Sequence, residues 1–172
     1  MKKKLKLSKK IIFPVSIPHI SKKDIYSVNK TLKTGWISSD GPEIKKFENK
    51  FSNYVNRKFS IAVSSGTAAL EISIKALGIK KNDEVLIPNF TIISNALSVI
   101  RQNAKPIPID CNLDDWNIKI EDIEKKITKK TKAIIITHIY SFPNDMDKIL
   151  KICKKHNIFI IEDAAEVLGL SY

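Results

Sequence analysis

Apolar and polar positions follow two different periods along the chain. "SKKDIYSVNKTLKTG" sets Ile25, Val28 and Leu32 at helical spacing behind a Ser21/Asp24 cap pair, with Gly35 as the stop. "GPEIKKFENKFSNYV" predicts a second helix, with Pro42 in its first turn and Ile44, Phe47, Phe51, Tyr54 and Val55 on one stripe facing a core. The turn-rich loop "TGWISSDGP" separates the two and carries Trp36. From Phe59 onward the period changes, and "FSIAVSS", "DEVLIP", "KPIPID", "KAIIITHIY" and "IFIIED" read as short strands. Between them, "GTAALEISIKALG", "TIISNALSVIRQN", "IEDIEKKI" and "NDMDKILKICKKHN" read as helices, the last with Met146, Ile149, Leu150 and Cys153 on one face. Short apolar strands alternating with helices predict an α/β layer structure around a mostly parallel sheet.

Composition agrees with this picture. The chain has 172 residues, 43% hydrophobic and 28% charged, as expected for a soluble globular protein. No apolar run reaches the roughly 20 residues that span a bilayer, so membrane insertion is not expected. The basic start "MKKKLKLSKKIIFPVSIP" lacks the apolar core and cleavage signal of a secretory leader, and a solvated tail is expected over residues 1–16. Cys111 and Cys153 are far apart without metal-type spacing, which makes a reducing cytoplasm the default location. The net charge of +12 raises nucleic acid as a partner. Yet every basic residue except Arg57 and Arg101 is lysine, scattered over helix faces and turns, and base-reading surfaces favour arginine's planar fork. Nucleic-acid binding is therefore not expected.

Ligands of open α/β sheets bind beyond the carboxyl ends of the strands. There, "SSGTAAL" leads from a strand into a helix whose first N–H groups are unpaired, with Gly66 permitting close approach and Ser65 and Thr67 supplying hydroxyls. This can cradle a phosphate; equally, Ser65 can be a plain N-cap and Gly66 a turn residue. In "NFTIIS", Phe90 and Thr91 can wall a flat ligand or form a helix cap with a packed ring. His138, alone at a strand end, suits a structural role. Glu162 and Asp163 end the last strand with no cation nearby in sequence, so their partner is remote in the chain or is a ligand. The five glycines form no G-x-G-x-x-G, and neither a P-loop, a G-x-S-x-G elbow nor a metal-type Cys/His cluster occurs, so no metal is expected.

Taken in order, "GWISSDGPEIKKFENKFSNYV", "AVSSGTAALEISIKALGIKKNDEVLIPNFTIIS", "AKPIPIDCNLDDWNI", "TKAIIITHIYSFPNDMDKI" and "IIEDAAEVLG" resemble the DegT/DnrJ/EryC/StrS sugar aminotransferases. "NFTIIS", "DDWNI" and "EDAAE" lean towards the perosamine-synthase-like branch, which aminates a nucleotide-linked 4-keto-6-deoxysugar with glutamate as donor. The resemblance implies an aspartate-aminotransferase-like α/β fold (the type I fold of pyridoxal-phosphate enzymes), with residues 17–172 as the N-terminal part of the large domain. It implies pyridoxal 5'-phosphate or pyridoxamine 5'-phosphate as cofactor, a homodimer, and a product destined for cell-surface polysaccharide such as O-antigen. Gly66, Thr67 and Ala68 would then hold the cofactor phosphate, Asp163 the pyridine nitrogen, and Glu166 would neighbour the ring hydroxyl where many members have Gln. Ile92 would form an aliphatic wall at an often aromatic position, and Trp36, Ser38 and Ser39 would belong to the sugar-nucleotide site.

Ser141 departs from the family's usual glycine and Leu168 from a common histidine. The family's Schiff-base lysine is expected beyond Tyr172, so no catalytic residue is nominated and no transaminase turnover is expected of these residues alone. A sugar 3-dehydratase relative and a non-catalytic remnant or binding module are the other readings.

Overall fold

The computed structural model describes residues 16–170 and divides into two compact units between Ala62 and Val63. The tail expected over residues 1–16 lies, Ser16 apart, outside the described residues.

The first unit contains helices α1 (Lys22–Thr34) and α2 (Pro42–Tyr54). The Asp24 N–H donates to Ser21 Oγ and the Ser21 N–H donates to Asp24 Oδ2, a reciprocal cap that satisfies two otherwise orphaned donors. Gly35 closes α1 at φ +72°, and Pro42 begins α2. The apolar stripes are less covered than their spacing predicts. Ile25, Val28, Leu32, Phe47 and Tyr54 are all more than half exposed, while Ile44, Phe51 and Val55 are half-buried. Two helices without a sheet offer no second layer able to bury both stripes.

The predicted strand "FSIAVSS" is also corrected: its residues join no ladder among the described residues. Instead, the Ser60 hydroxyl donates to Glu48 O at 2.6 Å and the Ala62 N–H to Glu48 Oε1 at 2.8 Å. A strand requires neighbouring backbone groups, and here a side chain of α2 takes the donor.

The second unit carries α3 (Gly66–Ala76), β1 (Glu84–Pro88), α4 (Ser94–Ile100), β2 (Lys105–Ile109), α5 (Ile120–Lys126), β3 (Thr131–Thr137), α6 (Met146–His156) and β4 (Phe159–Asp163). All strand pairs are parallel, in the order β2-β1-β3-β4. Alternation along the strands separates two cores. Val85, Ile87, Ala133, Ile135 and Ile161 pack with Leu70 and Ile74 of α3 and Val99 of α4. Leu86, Ile109, Ile134 and Ile136 pack with Ile123 of α5 and Met146, Ile149 and Cys153 of α6. Helices thus cover both faces, as the near-continuous apolar strands require. Leu150, expected on the buried face of α6, is half exposed; Met146, Ile149 and Cys153 suffice to face the sheet. β3 also ends earlier than predicted, leaving His138, Ile139 and Tyr140 to the loop that follows.

Candidate functional site

The carboxyl end of β3, the loop that follows β1 and the first turn of α3 are tied together by short polar side chains, and β4 lies beside β3 in the ladder. Thr137, the last residue of β3, accepts at Oγ1 from the Thr91 hydroxyl at 3.0 Å and from Asn95 Nδ2 at 2.6 Å. Asn95 Nδ2 also lies 2.7 Å from Thr91 Oγ1, and the Thr67 and Ser94 hydroxyls meet at 2.9 Å. Thr137 stands in register opposite Asp163 of β4. Helix α3, the loop before α4 and two strand ends therefore form one polar platform.

At α3, Ser65 is the N-cap: its Oγ accepts from the Ala68 N–H at 3.2 Å. The Gly66 and Thr67 N–H groups precede the first intrahelical bond and point away from the helix. A Cβ built at Gly66 meets nothing within 4 Å, so there is open space at this end. The N-cap reading of "SSGTAAL" holds, and it leaves room for the other, because the cap uses the Ala68 donor and not those of Gly66 and Thr67.

The two acids at the end of β4 have different surroundings. His138 is fully buried, and its Nδ1 accepts the Asn144 N–H at 3.0 Å. Nε2 then carries the proton and donates to Glu162 Oε1 at 3.0 Å. The remote partner of Glu162 is thus His138, 24 residues earlier, a pairing the sequence pattern missed. Asn144 and Asn117 complete the network: Asn144 Nδ2 donates to Thr137 O at 2.9 Å and to Asn117 Oδ1 at 3.2 Å. Asp163 is half-buried, its backbone carbonyl accepts the His138 N–H at 3.3 Å, and its Oδ1 accepts the Ala165 N–H at 3.3 Å. Among the described residues no cation pairs with it. Asp163 can therefore accept a proton-bearing nitrogen of a ligand.

Glu166 is exposed, and its Oε2 accepts the Tyr140 N–H at 2.6 Å. The Ser141 hydroxyl donates to Glu166 O at 3.0 Å. Tyr140 and Ser141 have φ of +47° and +68°, a left-handed turn that glycine adopts most readily. The Glu166 contacts hold this turn, with serine at the position expected to be glycine.

Ile92 lies in the loop beside Thr91 and is 60% exposed. Trp36, Ser38 and Ser39 are exposed residues of the loop between α1 and α2, in the first unit.

Sequence reasoning also missed an aromatic cluster. The Phe90 ring lies 5.0 Å from Trp116 and 6.4 Å from Tyr140, centroid to centroid. The three residues follow β1, β2 and β3 respectively. The separate motifs "NFTIIS", "DDWNI" and "HIYSFP" each contain one of these rings, and their places after neighbouring strands are the signal that could have joined them.

Comparison with known proteins agrees with this architecture. Residues 18–172 match the DegT/DnrJ/EryC1/StrS aminotransferase family. The GDP-perosamine synthase of Escherichia coli O157:H7 is 42% identical over 159 residues, covering 92% of this chain and 44% of that protein. The solved aminotransferase of Psychrobacter cryohalolentis superposes with a TM-score of 0.85 at 33% identity, over 92% of this chain and 41% of that one. The Escherichia coli GDP-4-keto-6-deoxy-D-mannose-3-dehydratase, solved with hydrated pyridoxal phosphate, superposes with a TM-score of 0.87 at 25% identity, over 93% of this chain and 42% of that one. The chain spans less than half the length of each of these relatives.

Proposed function

Because the chain belongs to the DegT/DnrJ/EryC1/StrS aminotransferase family, we propose that it forms the cofactor-holding part of a nucleotide-sugar aminotransferase. The cofactor is pyridoxal phosphate or pyridoxamine phosphate, the substrates are glutamate and a nucleotide-linked 4-keto-6-deoxysugar, and the working protein is a cytoplasmic homodimer. The observation that carries this reading is the platform itself: unused N–H donors at the start of α3 are linked through Thr67 and Ser94 to the strand ends where Asp163 offers a carboxylate with no cation paired to it among the described residues.

When bound, this cofactor draws electrons from the substrate carbon that loses its proton. The chain's own residues hold it in the state able to do so. The Gly66 and Thr67 N–H groups and the partial positive charge of the α3 N-terminus bind the phosphate. In this reading the first turn that includes Ala68 is shaped by the Ser65 cap. Asp163 keeps a proton on the ring nitrogen by offering a carboxylate to it. Glu166 neighbours the ring hydroxyl while its Oε2 holds the Tyr140 N–H, and Ile92 walls the ring. Trp36, Ser38 and Ser39 contact the sugar nucleotide. No residue of this chain is assigned the role of the family's cofactor-tethering lysine.

Pyridoxamine phosphate tests the reading directly, because it has no aldehyde to react with the many surface lysines. Saturable binding, followed by its fluorescence, is expected; its absence from the folded protein overturns the proposal. Sugar 3-dehydration is the second reading, favoured by the TM-score of 0.87 to a dehydratase. Product analysis separates the two, since transamination carries the glutamate nitrogen into the sugar and dehydration removes an oxygen from C3.

A further inference from the structure

We propose that Asn95 is a positioning residue that sets the span between the two anchor points of the cofactor, the start of α3 and the Asp163 carboxylate, an inference that rests on the cofactor reading above. The two anchors belong to different elements, α3 and β4. Ile161 of β4 packs with Leu70 and Ile74 of α3, but apolar contact has no preferred direction and does not fix one anchor against the other. Hydrogen bonds are directional, and a chain of them runs from the first anchor to the strand beside the second. Thr67, in the first turn of α3, meets the Ser94 hydroxyl at 2.9 Å. Asn95 follows Ser94 in α4, and successive helical side chains point about 100° apart, so adjacent residues reach two different elements. The second is β3, where Asn95 Nδ2 donates to Thr137 Oγ1 at 2.6 Å. Thr137 lies in register opposite Asp163.

The amide spends both its N–H groups in this one place. An asparagine amide has two, and Nδ2 gives them to Thr91 Oγ1 at 2.7 Å and to Thr137 Oγ1. The Thr137 backbone is held as well, its carbonyl accepting from Asn144 Nδ2 at 2.9 Å. The end of β3 is therefore gripped at its hydroxyl and at its carbonyl.

Stability alone does not account for an asparagine here. Asn95 is fully buried, and its Oδ1 has no hydrogen-bond partner among the described residues. A buried acceptor without a donor costs stability, and an apolar side chain of similar size carries no such cost. What the apolar side chain lacks is the pair of donors that grip Thr91 and Thr137.

A ligand that must reach both anchors depends on their span, whereas a ligand that uses one does not. NMR titrations of the 172-residue chain with pyridoxamine phosphate, and separately with inorganic phosphate, make that comparison. In Asn95→Leu, pyridoxamine phosphate is expected to bind about tenfold more weakly or worse, the scale of one lost hydrogen bond to a charged group, while inorganic phosphate binds as it does to the parent. Thr137→Val removes the oxygen that Asn95 grips and gives the same split; it serves on its own if Asn95→Leu does not fold. Thr137→Ser keeps the hydroxyl and restores pyridoxamine phosphate binding. A merely structural role would weaken both ligands together. The proposal is overturned by that parallel loss, by variants that bind both ligands like the parent, by Thr137→Ser behaving like Thr137→Val, by inorganic phosphate failing to bind the parent, or by neither Asn95→Leu nor Thr137→Val folding. Failure of pyridoxamine phosphate to bind the parent removes the cofactor reading and this inference with it, whereas equal binding by parent and variants removes only the role of Asn95.

Discussion

His138 Nε2 lies 3.0 Å from Glu162 Oε1, joining the end of one strand to the end of its neighbour through a fully buried ring. Glu162→Ala takes an acceptor from a buried donor and should destabilise the fold by about 1–3 kcal/mol. Glu162→Gln keeps an acceptor and should cost less. Urea unfolding midpoints check this; an unchanged midpoint in the alanine variant would show that the pair is dispensable.

Asp163 sits one residue further along, and no cation pairs with it among the described residues. Asp163→Asn keeps an oxygen for the Ala165 N–H but loses the charge. Pyridoxamine phosphate binding should fall about tenfold or more, the scale of a hydrogen bond to a charged group, while the unfolding midpoint stays near the parent value. Equal affinities would assign the ring nitrogen to another residue.

Gly66→Ala separates the helix from the ligand. The added Cβ meets nothing within 4 Å, so steric damage is not expected, and stability should hold or rise by up to about 1 kcal/mol. Binding of pyridoxamine phosphate should nevertheless weaken if its phosphate approaches the backbone here. Parallel melting and binding curves on one preparation read both effects.

Burial pushes the Cys153 thiol up from 9.0 to about 11. The folded state therefore keeps this proton at pH values where the unfolded chain has released it, and the associated stability is complete below pH 9 and declines as pH rises towards 11. Cys153→Ala should flatten that alkaline decline, whatever it does to absolute stability by opening a cavity. At pH 8, a thiol reagent should modify the half-buried Cys111 quickly and Cys153 only on unfolding.

The sheet and its helices were legible because their signals are local. The runs in "DEVLIP" and "KAIIIT" are apolar on both faces, and Ser21 and Asp24 announce the start of α1 within four residues. The position of Asp163 at the sheet's carboxyl edge followed from reading what comes after each strand, whereas Gly66 was placed by a strand that the described residues do not form. Illegible features depended on partners distant in sequence. "FSIAVSS" has strand chemistry, but whether it joins a ladder depends on the backbone beside it. His138 and Glu162 meet across 24 residues, and no spacing rule predicts that. The left-handed turns at Trp116 and Tyr140 were hidden for another reason: bulky residues rarely adopt them, so composition argues against what the surrounding hydrogen bonds enforce.

The two margins of the sheet differ in kind. In β2, Lys105 sends its N–H towards β1, to Asp83 O at 2.8 Å, so the alternate residues Pro106 and Pro108 face outward, and neither has an N–H to give. That margin is sealed against a further strand. β4, whose "FIIED" contains no proline, has an N–H on every residue and pairs with β3 on one side in the ladder of the described residues. Growth of this sheet, whether by more of its own polypeptide or by another molecule, is therefore one-directional: it proceeds from β4, on the side that carries Asp163.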